Sequence, residues 1–293
     1  MRLRPLSTLL LGFALPVLCA AQGWDGASLA KGWARQDVTG AYIFRDGNLL
    51  RTWTRDGSQS GALDISKVEG TPEFWVVDSW DKAWIVSGNT LTAVDKTGKV
   101  TRKEALPGQV ADLAWDTDTF YLSYRTDTYY VEKRTFKTGD LVWASGSKPK
   151  KGDPPAPRLY RIAVTNLGQV VLSMGSDLNF TLLNVATGKP AGQTYLALAN
   201  APAPALQALS PDRQAVLWWE TGGQILLALP ASQLAPAIKG TLTGLVLGKV
   251  DLSKGTLELL PTGLEEGAQL VGALDAEVSF TKPGGGIVAL QLR

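Results

Sequence analysis

The chain of 293 residues contains no histidine and a single cysteine, Cys19. A Ser-His-Asp triad is therefore excluded, and so are zinc, copper and haem sites that use histidine ligands. One cysteine cannot form an intramolecular disulfide, so the stability of the fold has to come from packing. Only 19% of the residues are charged and 45% are hydrophobic, which is typical of a chain with a folded core and excludes a disordered one.

The N-terminal segment has the pattern of a secretory signal peptide. Two arginines among the first four residues precede an apolar run, and small residues end at Ala21. We therefore predict a signal peptide over residues 1–21, a single domain over residues 22–293, and export to the periplasm or the extracellular space. Lipid attachment at Cys19 is the less favoured alternative, because Leu18 stands where a lipoprotein signal has a small residue.

The predicted mature chain has no net charge. Removal of the two signal arginines from the 29 basic residues leaves 27, which equals the 27 acidic residues. A neutral chain has no global field that would attract nucleic acid, so we expect no nucleic-acid partner. No other segment is long and apolar enough for us to expect a transmembrane segment. Cleavage after Ala21 also removes the only thiol, which excludes thiolate chemistry in the mature chain.

Short apolar segments alternate with turn residues along the mature chain. The segments are rich in Val, Leu, Tyr, Trp and Thr, which favour strands. A unit of strand, Asp- or Asn-containing turn and second strand recurs six times, with second strands that start at residues 41, 83, 120, 170, 215 and 278. Most of these intervals fit the about 40 to 50 residues of a four-stranded propeller blade. An inserted loop or short helix over residues 230–243 explains the long interval.

Tight turns that end in glycine form a second repeat. An Asp or Asn near the start of such a turn can bond the turn backbone, and the turns cover residues 95–99, 136–140, 184–189 and 251–255. Thr138–Trp143 resembles the Thr-Gly-x-x-x-Trp core of pyrroloquinoline-quinone-type β-propeller repeats. Leu209–Arg213 resembles the Ser-Pro-Asp-Gly segment of bacterial periplasmic propellers. The resemblance implies a bacterial extracytoplasmic propeller protein. Without the adjacent cysteine pair common in quinone enzymes, we expect a non-catalytic member with no cofactor.

These patterns predict an all-β fold, a β-propeller of about six four-stranded blades. The alternative is an irregular pair of β-sandwiches. In a propeller both faces of each sheet pack against neighbouring sheets, which fits the continuous apolar runs and the ten tryptophans. The last predicted strand, over residues 286–292, ends the chain, so we expect a segment within residues 23–35 to complete the sixth blade.

Aromatic and acidic side chains cluster in the second and third units. Asp78 and Asp116 are weak candidates for the acid and the base or nucleophile of a carboxylate-dependent glycosidase or lyase. We favour the alternative that the aspartates shape turns and the tryptophans, Trp75 and Trp84 among them, pack between blades. No metal site is expected, because the Asp116 turn lacks the further spaced oxygens of a calcium loop. The candidate binding residues are Trp80, Asp81, Trp115, Asp118 and Arg213.

Basic residues concentrate in the third unit and in the loop that follows it. The aromatic residues Tyr129, Tyr130, Phe136 and Trp143 lie among them. An acidic polysaccharide could bind there by charge and stacking, although we favour a solvated surface beside a proline-rich loop. The basic residues are Lys133, Arg134, Lys137, Lys148, Lys150, Lys151, Arg158 and Arg161.

The sequence favours binding over catalysis, because carboxylates, tryptophan faces and loop backbone are the groups that remain for function. We predict a secreted or periplasmic binding or scaffold module that contacts a protein or a polysaccharide through one face of the propeller. The glycosidase or lyase and a purely structural cell-envelope protein are the two alternatives.

Overall fold

The computed structural model describes residues 34–36, 41–54, 58–77, 82–150, 161–164, 168–173, 179–195, 197–198, 218–221, 224–234, 239–274, 277–283 and 286–292. Within these ranges 24 strands form six sheets, so the prediction of an all-β fold is confirmed. None of the described helical turns has the length and apolar character needed to cross a membrane. The predicted signal peptide, residues 1–21, lies outside the described residues.

The first three sheets each contain four antiparallel strands in sequence order. The first sheet contains β1 (Ala34–Gln36), β2 (Tyr42–Asp46), β3 (Leu49–Trp53) and β4 (Gln59–Asp64). The second contains β5 (Phe74–Val77), β6 (Ala83–Ser87), β7 (Thr90–Val94) and β8 (Val100–Ala105). The third contains β9 (Val110–Trp115), β10 (Thr119–Tyr124), β11 (Tyr130–Thr135) and β12 (Leu141–Gly146).

The other three sheets vary this arrangement. The fourth contains β13 (Arg161–Val164), β14 (Gln169–Ser173), β15 (Asn179–Asn184) and β16 (Pro190–Tyr195). The fifth contains β18 (Trp218–Thr221), β19 (Gln224–Pro230), β20 (Leu245–Asp251) and β21 (Thr256–Leu264), and β17 (Ala197–Leu198) pairs in parallel with β21. The sixth has three described strands, β22 (Gln269–Leu274), β23 (Glu277–Thr281) and β24 (Ile287–Gln291).

Each sheet has two ends that carry different connections, because its successive strands are antiparallel. We call the end with the first-to-second and third-to-fourth connections the turn face. The crossover face is the end with the second-to-third connections and the links between sheets. Lys82 Nζ donates to the Lys137 carbonyl at 2.7 Å, and both residues lie in turn-face connections of neighbouring sheets. The turn faces of these two sheets therefore lie side by side.

Apolar side chains fill the spaces between consecutive sheets. Trp84 of β6 stacks on Phe120 of β10 with ring centroids 5.4 Å apart. The first and sixth sheets are also in contact, since Tyr42 packs in one cluster with Val271. The Tyr42 hydroxyl lies 2.7 Å from the Ser279 hydroxyl. The first and sixth sheets are therefore neighbours in the fold.

Burial explains why the sequence lacks a regular alternation in the second strand of each sheet. All five residues of β6 are buried, because sheets pack on both of its faces. The outer strand β8 instead alternates between half-buried and exposed residues. Continuous apolar runs therefore mark the second strands, and mixed sequences mark the outer ones.

The predicted glycine turns connect the third and fourth strands of the second to fifth sheets. Asp95 Oδ1 accepts hydrogen bonds from the Thr97 and Lys99 amides at 2.9 and 3.1 Å. Asn184 Oδ1 accepts one from the Thr187 amide at 3.0 Å, and Asp251 Oδ1 one from the Ser253 amide at 3.0 Å. The prediction that Asp or Asn bonds the turn backbone is confirmed at these three turns.

Two of these turns receive a tryptophan from the preceding sheet. A Cβ on Gly139 would lie 2.1 Å from Cη2 of Trp84, and a Cβ on Gly188 would lie 2.6 Å from Cε3 of Trp143. The Trp84 indole donates to the Phe136 carbonyl at 2.9 Å, and the Trp143 indole donates to the Val185 carbonyl at 3.0 Å. Each tryptophan thus fastens its own sheet to the turn of the next, and only glycine leaves room for it.

The strand placement differs from the prediction in the fifth unit. Trp218, expected at the end of the second strand, instead begins β18, the first strand, and the second strand is β19. The sequence pair Gly222-Gly223 is a hairpin signal between β18 and β19 that the repeat pattern did not include. Within the predicted insertion over residues 230–243, the described residues include a 3-10 helix, Ala231–Gln233, and a turn at residues 240–241.

Of residues 23–35, a segment of which we expect to complete the sixth sheet, only the last two are described. Ala34 and Arg35 pair with Phe44 and Ile43 of β2, so they extend the first sheet. A short strand pairs with the open sheet edge that lies beside it in the fold, and the local sequence does not show which edge that is. Residues 23–33 of the expected segment lie outside the described residues.

Candidate functional site

The candidate catalytic residue Asp116 lies on the turn face, between β9 and β10. Its Oδ1 accepts hydrogen bonds from the Thr119 amide and hydroxyl at 2.9 and 2.7 Å and from the Asp118 amide at 3.2 Å. Its Oδ2 accepts one from the buried Tyr121 hydroxyl at 2.7 Å. Burial and this bond hold the pKa of Tyr121 well above its ordinary value. Oδ1 of Asp116 therefore bonds its own turn and Oδ2 bonds Tyr121 of β10, which is the geometry of a structural carboxylate.

The other candidate residues divide between core, surface and the part of the chain that is not described. Trp75 and Trp84 are buried in the core, Trp115 is half-buried against it, and Asp118 is exposed. The remaining candidates, Asp78, Trp80, Asp81 and Arg213, lie outside the described residues. Among the described candidates, Trp115, Asp116 and Asp118 share one turn.

A buried charged pair lies in the third sheet, facing the second. Glu132 and Arg134 are each only 3% exposed, and their charged groups lie 2.8 Å apart. The hydroxyls of Tyr124 and Tyr130 donate to the two oxygens of Glu132 at 2.8 and 3.2 Å. Burial, followed by the charge of Glu132, raises the pKa of Tyr130 to about 12. The tyrosines therefore remain protonated donors at physiological pH.

The charged pair continues as a network onto the second sheet. Arg134 contacts Glu104 of β8 at 2.9 Å, and Arg102 contacts both Glu104 and Asp140 at 2.8 Å. Burial opposes ionisation of Glu104, but the hydrogen bonds and charges of Arg134 and Arg102 outweigh it and lower its pKa. Arg134 also donates to the Gly139 carbonyl at 3.0 Å. The network thus joins β8, β11 and the glycine turn, and it is structural in every contact described.

The predicted basic cluster is divided between different environments. Arg134 is buried in the charged network, and Lys133 Nζ donates to the Val185 carbonyl at 3.1 Å while it lies over the Tyr121 ring. Lys137 is exposed on the turn face, whereas Lys148 is exposed on the chain that leaves β12 at the crossover face. Lys151 and Arg158 lie outside the described residues. The described basic residues therefore do not form one continuous surface.

The crossover face carries buried polar atoms that have no hydrogen-bond partner. In the described part of the chain, unpaired atoms of this kind include Nε1 of Trp75, Oγ of Ser87, Nε of Arg125 and Oγ1 of Thr126. Ser87 lies at the crossover end of β6, and Arg125 and Thr126 directly follow β10, whereas the Trp75 side chain packs in the core between the first and second sheets. An unpaired buried polar atom costs about 1–3 kcal/mol. The shared location of Ser87, Arg125 and Thr126 makes this face the candidate functional site.

Arg125 and Thr126 are site residues that the sequence analysis did not identify. They occupy a second-to-third connection, Arg-Thr-Asp-Thr, which reads as an ordinary polar turn. The sequence signal that could have identified Arg125 is a positive side chain directly after a continuous apolar strand. The backbone at that position remains beside the core, so the side chain is expected to be partly buried. Thr126 is only 7% exposed, and its burial comes from the surrounding sheets, so it cannot be inferred from the neighbouring residues in the sequence.

Acidic side chains do not converge on a cation within the ranges that the structure describes. No group of three or more Asp, Glu, His or Cys residues is placed there so that it could hold a metal ion.

The architecture is similar to that of several solved propeller proteins. Virginiamycin B lyase from Staphylococcus aureus is 12% identical, with a TM-score of 0.56 over 90% of this chain and 81% of that chain. A streptogramin B lyase is 12% identical, with a TM-score of 0.55 over 92% and 86% of the two chains. A candidate exported protein from Bacteroides fragilis is 12% identical, with a TM-score of 0.54 over 93% and 92%.

These similarities confirm the β-propeller fold and carry no information on activity. No protein-family profile and no curated protein matches the chain.

Proposed function

We propose that the chain is an exported β-propeller of six blades that acts as a binding or scaffold module and holds its partner on the crossover face. The partner is a protein or a polysaccharide. The contact between the first and sixth sheets supports a closed ring of six blades. The signal pattern of residues 1–21 supports export.

The observation that carries this proposal is the difference between the two faces of the molecule. At the turn face, Asp95, Asp116 and Asn184 bond their own turns, and Trp84 and Trp143 bond the next sheet. At the crossover face, buried polar atoms of the second and third sheets have no partner within the described ranges. A bound molecule that forms hydrogen bonds with such groups would offset the cost of leaving them unpaired, which supports this face as the binding surface.

The geometry of Asp116 argues against its use as a catalytic carboxylate. A general base or nucleophile needs an oxygen that can reach the substrate, and both oxygens of Asp116 are occupied by donors of its own turn and by Tyr121. The lyase activity named for two of the similar structures belongs to those proteins, because 12% identity extends to the fold alone.

The proposal is tested by capture from a cell-envelope extract with matched variants. The purified protein, Arg125→Glu on the crossover face and Lys96→Glu on the turn face are immobilised separately. Both variants reverse one charge, and Lys96 is exposed in a glycine turn. We expect a partner that the unaltered protein and Lys96→Glu retain in equal amounts and that Arg125→Glu loses.

Equal retention by all three proteins would exclude the crossover face as the binding surface. Hydrolysis or elimination of a polysaccharide by the unaltered protein in a glycan panel, lost in Asp116→Asn, would support the enzyme alternative instead. Absence of any retained partner together with absence of turnover would support the structural alternative.

A further inference from the structure

The outer strand of the third sheet, β12, exposes apolar side chains. Leu141 and Val142 are 51% and 49% exposed, and they are the large hydrophobic residues that lie at the surface within the described ranges. In the sheet order, β12 has β11 on one side and no described strand on the other. Its outward edge therefore presents backbone N–H and C=O groups beside apolar side chains, and such an edge is able to pair with a further strand.

The fourth strands of the first, second, fourth and fifth sheets are better protected against such pairing. β8 carries three consecutive charged residues, 102–104, and β16 begins with Pro190, which has no N–H to donate. The edge of β21 is already paired with β17, and the large apolar residue of β4, Leu63, is buried. β12 contains neither a charge nor a proline. Association through an outer strand is therefore expected at β12.

The register with β11 shows which backbone groups of β12 point outward. Ser147 donates its amide to the Tyr129 carbonyl at 2.8 Å, so Ser147 belongs to a hydrogen-bonded pair. Such pairs alternate with non-hydrogen-bonded ones along an antiparallel ladder, and the register is continuous from Gly146 back to Ala144. The N–H and C=O groups of Ala144 and Gly146 therefore point away from β11. Both residues are small, which allows a further strand to approach closely.

The two ends of β12 carry charges of opposite sign. Asp140 directly precedes the strand, and its side chain remains 64% exposed while one oxygen accepts a hydrogen bond from Arg102. Lys148 lies two residues after the strand and is exposed. Lys137 is also exposed, but it lies at the tip of the turn before Asp140, beyond the end of the paired strands. An antiparallel strand with the same charges brings opposite charges together at both ends, whereas a parallel one brings like charges together.

We propose that β12 pairs with β12 of a second copy of the chain and forms an antiparallel dimer. Pairing centred on Ala144 uses the outward backbone groups of Ala144 and Gly146. It places Asp140 of each copy opposite Lys148 of the other, and Val142 opposite Gly146, where no side chain obstructs it. The same contact is repeated across a two-fold axis and covers the exposed edge of both copies, so association stops at the dimer.

The dimer does not depend on the proposed binding function and is compatible with it. β12 runs from the turn face to the crossover face, because it begins after a third-to-fourth connection. Antiparallel pairing therefore directs the crossover faces of the two copies in opposite directions. Both crossover faces remain accessible to a partner.

The experiment is sedimentation velocity of the purified protein over a wide range of concentration. We expect a reversible equilibrium between monomer and dimer, because two paired strands bury less surface than a permanent interface does. Val142→Lys places a charge on the exposed edge and is expected to abolish the dimer at every concentration. Gln193→Lys is the matched control, because it adds the same charge at an exposed position of β16 and is expected to associate as the unaltered protein does.

Three further variants test the register. Ala144→Pro removes an N–H that points away from β11, so it is expected to abolish the dimer with little change in the thermal unfolding midpoint. Lys148→Glu places like charges opposite each other twice across the two-fold axis and is expected to weaken association about fivefold or more. The double variant Asp140→Lys/Lys148→Glu restores opposite charges, so association is expected to recover.

Several results would overturn the proposal. One is a monomer at every concentration, and another is a dimer that Val142→Lys leaves intact. A monomer whose captured envelope partner is lost in Val142→Lys would show that the edge binds a strand of a different protein and not a second copy. The function proposed for the crossover face is judged separately, by Arg125→Glu in the capture experiment.

Discussion

Removal of Arg134 alone is expected to destabilise the propeller strongly, because it leaves a buried carboxylate without its cation. In Arg134→Met, Glu132 loses contacts at 2.8 and 2.9 Å, Glu104 loses one at 2.9 Å and the Gly139 carbonyl loses one at 3.0 Å. Breaking one side of a buried ion pair costs about 3–5 kcal/mol. Tyr124 and Tyr130 still donate to Glu132, so we expect the lower end, about 3 kcal/mol.

The assay is urea unfolding at neutral pH, followed by tryptophan fluorescence. For a domain of this size, about 3 kcal/mol corresponds to a decrease of about 6–12 °C in the thermal midpoint, which provides a second measurement. The matched control is Arg51→Met. Arg51 contacts Asp46 at 2.7 Å, but both side chains are partly exposed, so the expected loss is less than about 1 kcal/mol.

The double variant Glu132→Gln/Arg134→Met separates the effect of the unpaired charge from the effect of lost packing. Glutamine still accepts the tyrosine hydroxyl bonds but carries no charge, so the buried uncompensated carboxylate disappears. We expect this double variant to recover at least about half of the stability lost in Arg134→Met. A double variant no more stable than Arg134→Met would show that packing of the arginine, and not the unpaired charge of Glu132, is responsible for the loss.

Three further predictions concern the turns and the pH dependence. Gly139→Ala is expected to cost about 2–4 kcal/mol in urea unfolding, because its Cβ would lie 2.1 Å from the Trp84 ring. The control is Gly47→Ala, where φ is also positive but nothing lies near the Cβ, and it is expected to cost about 1–2 kcal/mol. Equal losses in the two variants would contradict the tryptophan contact. The pKa of Glu104 is lower in the folded protein than its ordinary value of 4.5. Its contribution to the stability of the folded state is therefore complete above pH 4.5 and disappears as the pH falls through the pKa of the folded protein. Glu104→Gln should therefore lose less stability on acidification, and an unchanged acid midpoint would exclude this role. Asp116→Asn is expected to cost about 1 kcal/mol in thermal unfolding, and an unaltered midpoint would show that the carboxylate is dispensable to its turn.

The fold could be predicted from the sequence where local chemistry decides the structure. Asp95 and Asn184 head turns that end in glycine, and a side-chain oxygen that bonds its own turn depends on only a few neighbouring residues. The fifth unit was misaligned because strand order within a sheet depends on pairing between distant segments. Trp218 satisfies the pattern of a second strand as well as that of a first, and only its pairing with Leu227 distinguishes the two.

The candidate site was harder to predict because its signal is the absence of a partner. In the sequence, Asp116 is a candidate for catalysis because it is a carboxylate beside a tryptophan, but in the structure its oxygens accept hydrogen bonds from Thr119 and Tyr121. Arg125 and Thr126 are unremarked in the sequence, and their importance comes from burial beside groups that do not bond them. Whether a buried polar group has a hydrogen-bond partner depends on sheets that are far apart in the chain. Composition and residue spacing therefore do not show which polar groups are left unpaired.

The division between the two faces follows from how a propeller is held together. Neighbouring sheets diverge away from the axis, so the outer parts of the ring need specific links, and here Trp84 and Trp143 supply them at the turn face with both packing and a hydrogen bond. The crossover connections carry such links as well, from Arg45 to the Pro72 carbonyl and from Ser232 to Glu266, but none is described for the unpaired groups of the second and third sheets. Because the turn-face links and the apolar clusters fix the strands, these connections can retain an unpaired atom such as Nε of Arg125 at a tolerable cost. Loss of a turn-face link should accordingly weaken the fold, whereas loss of Arg125 should weaken binding alone.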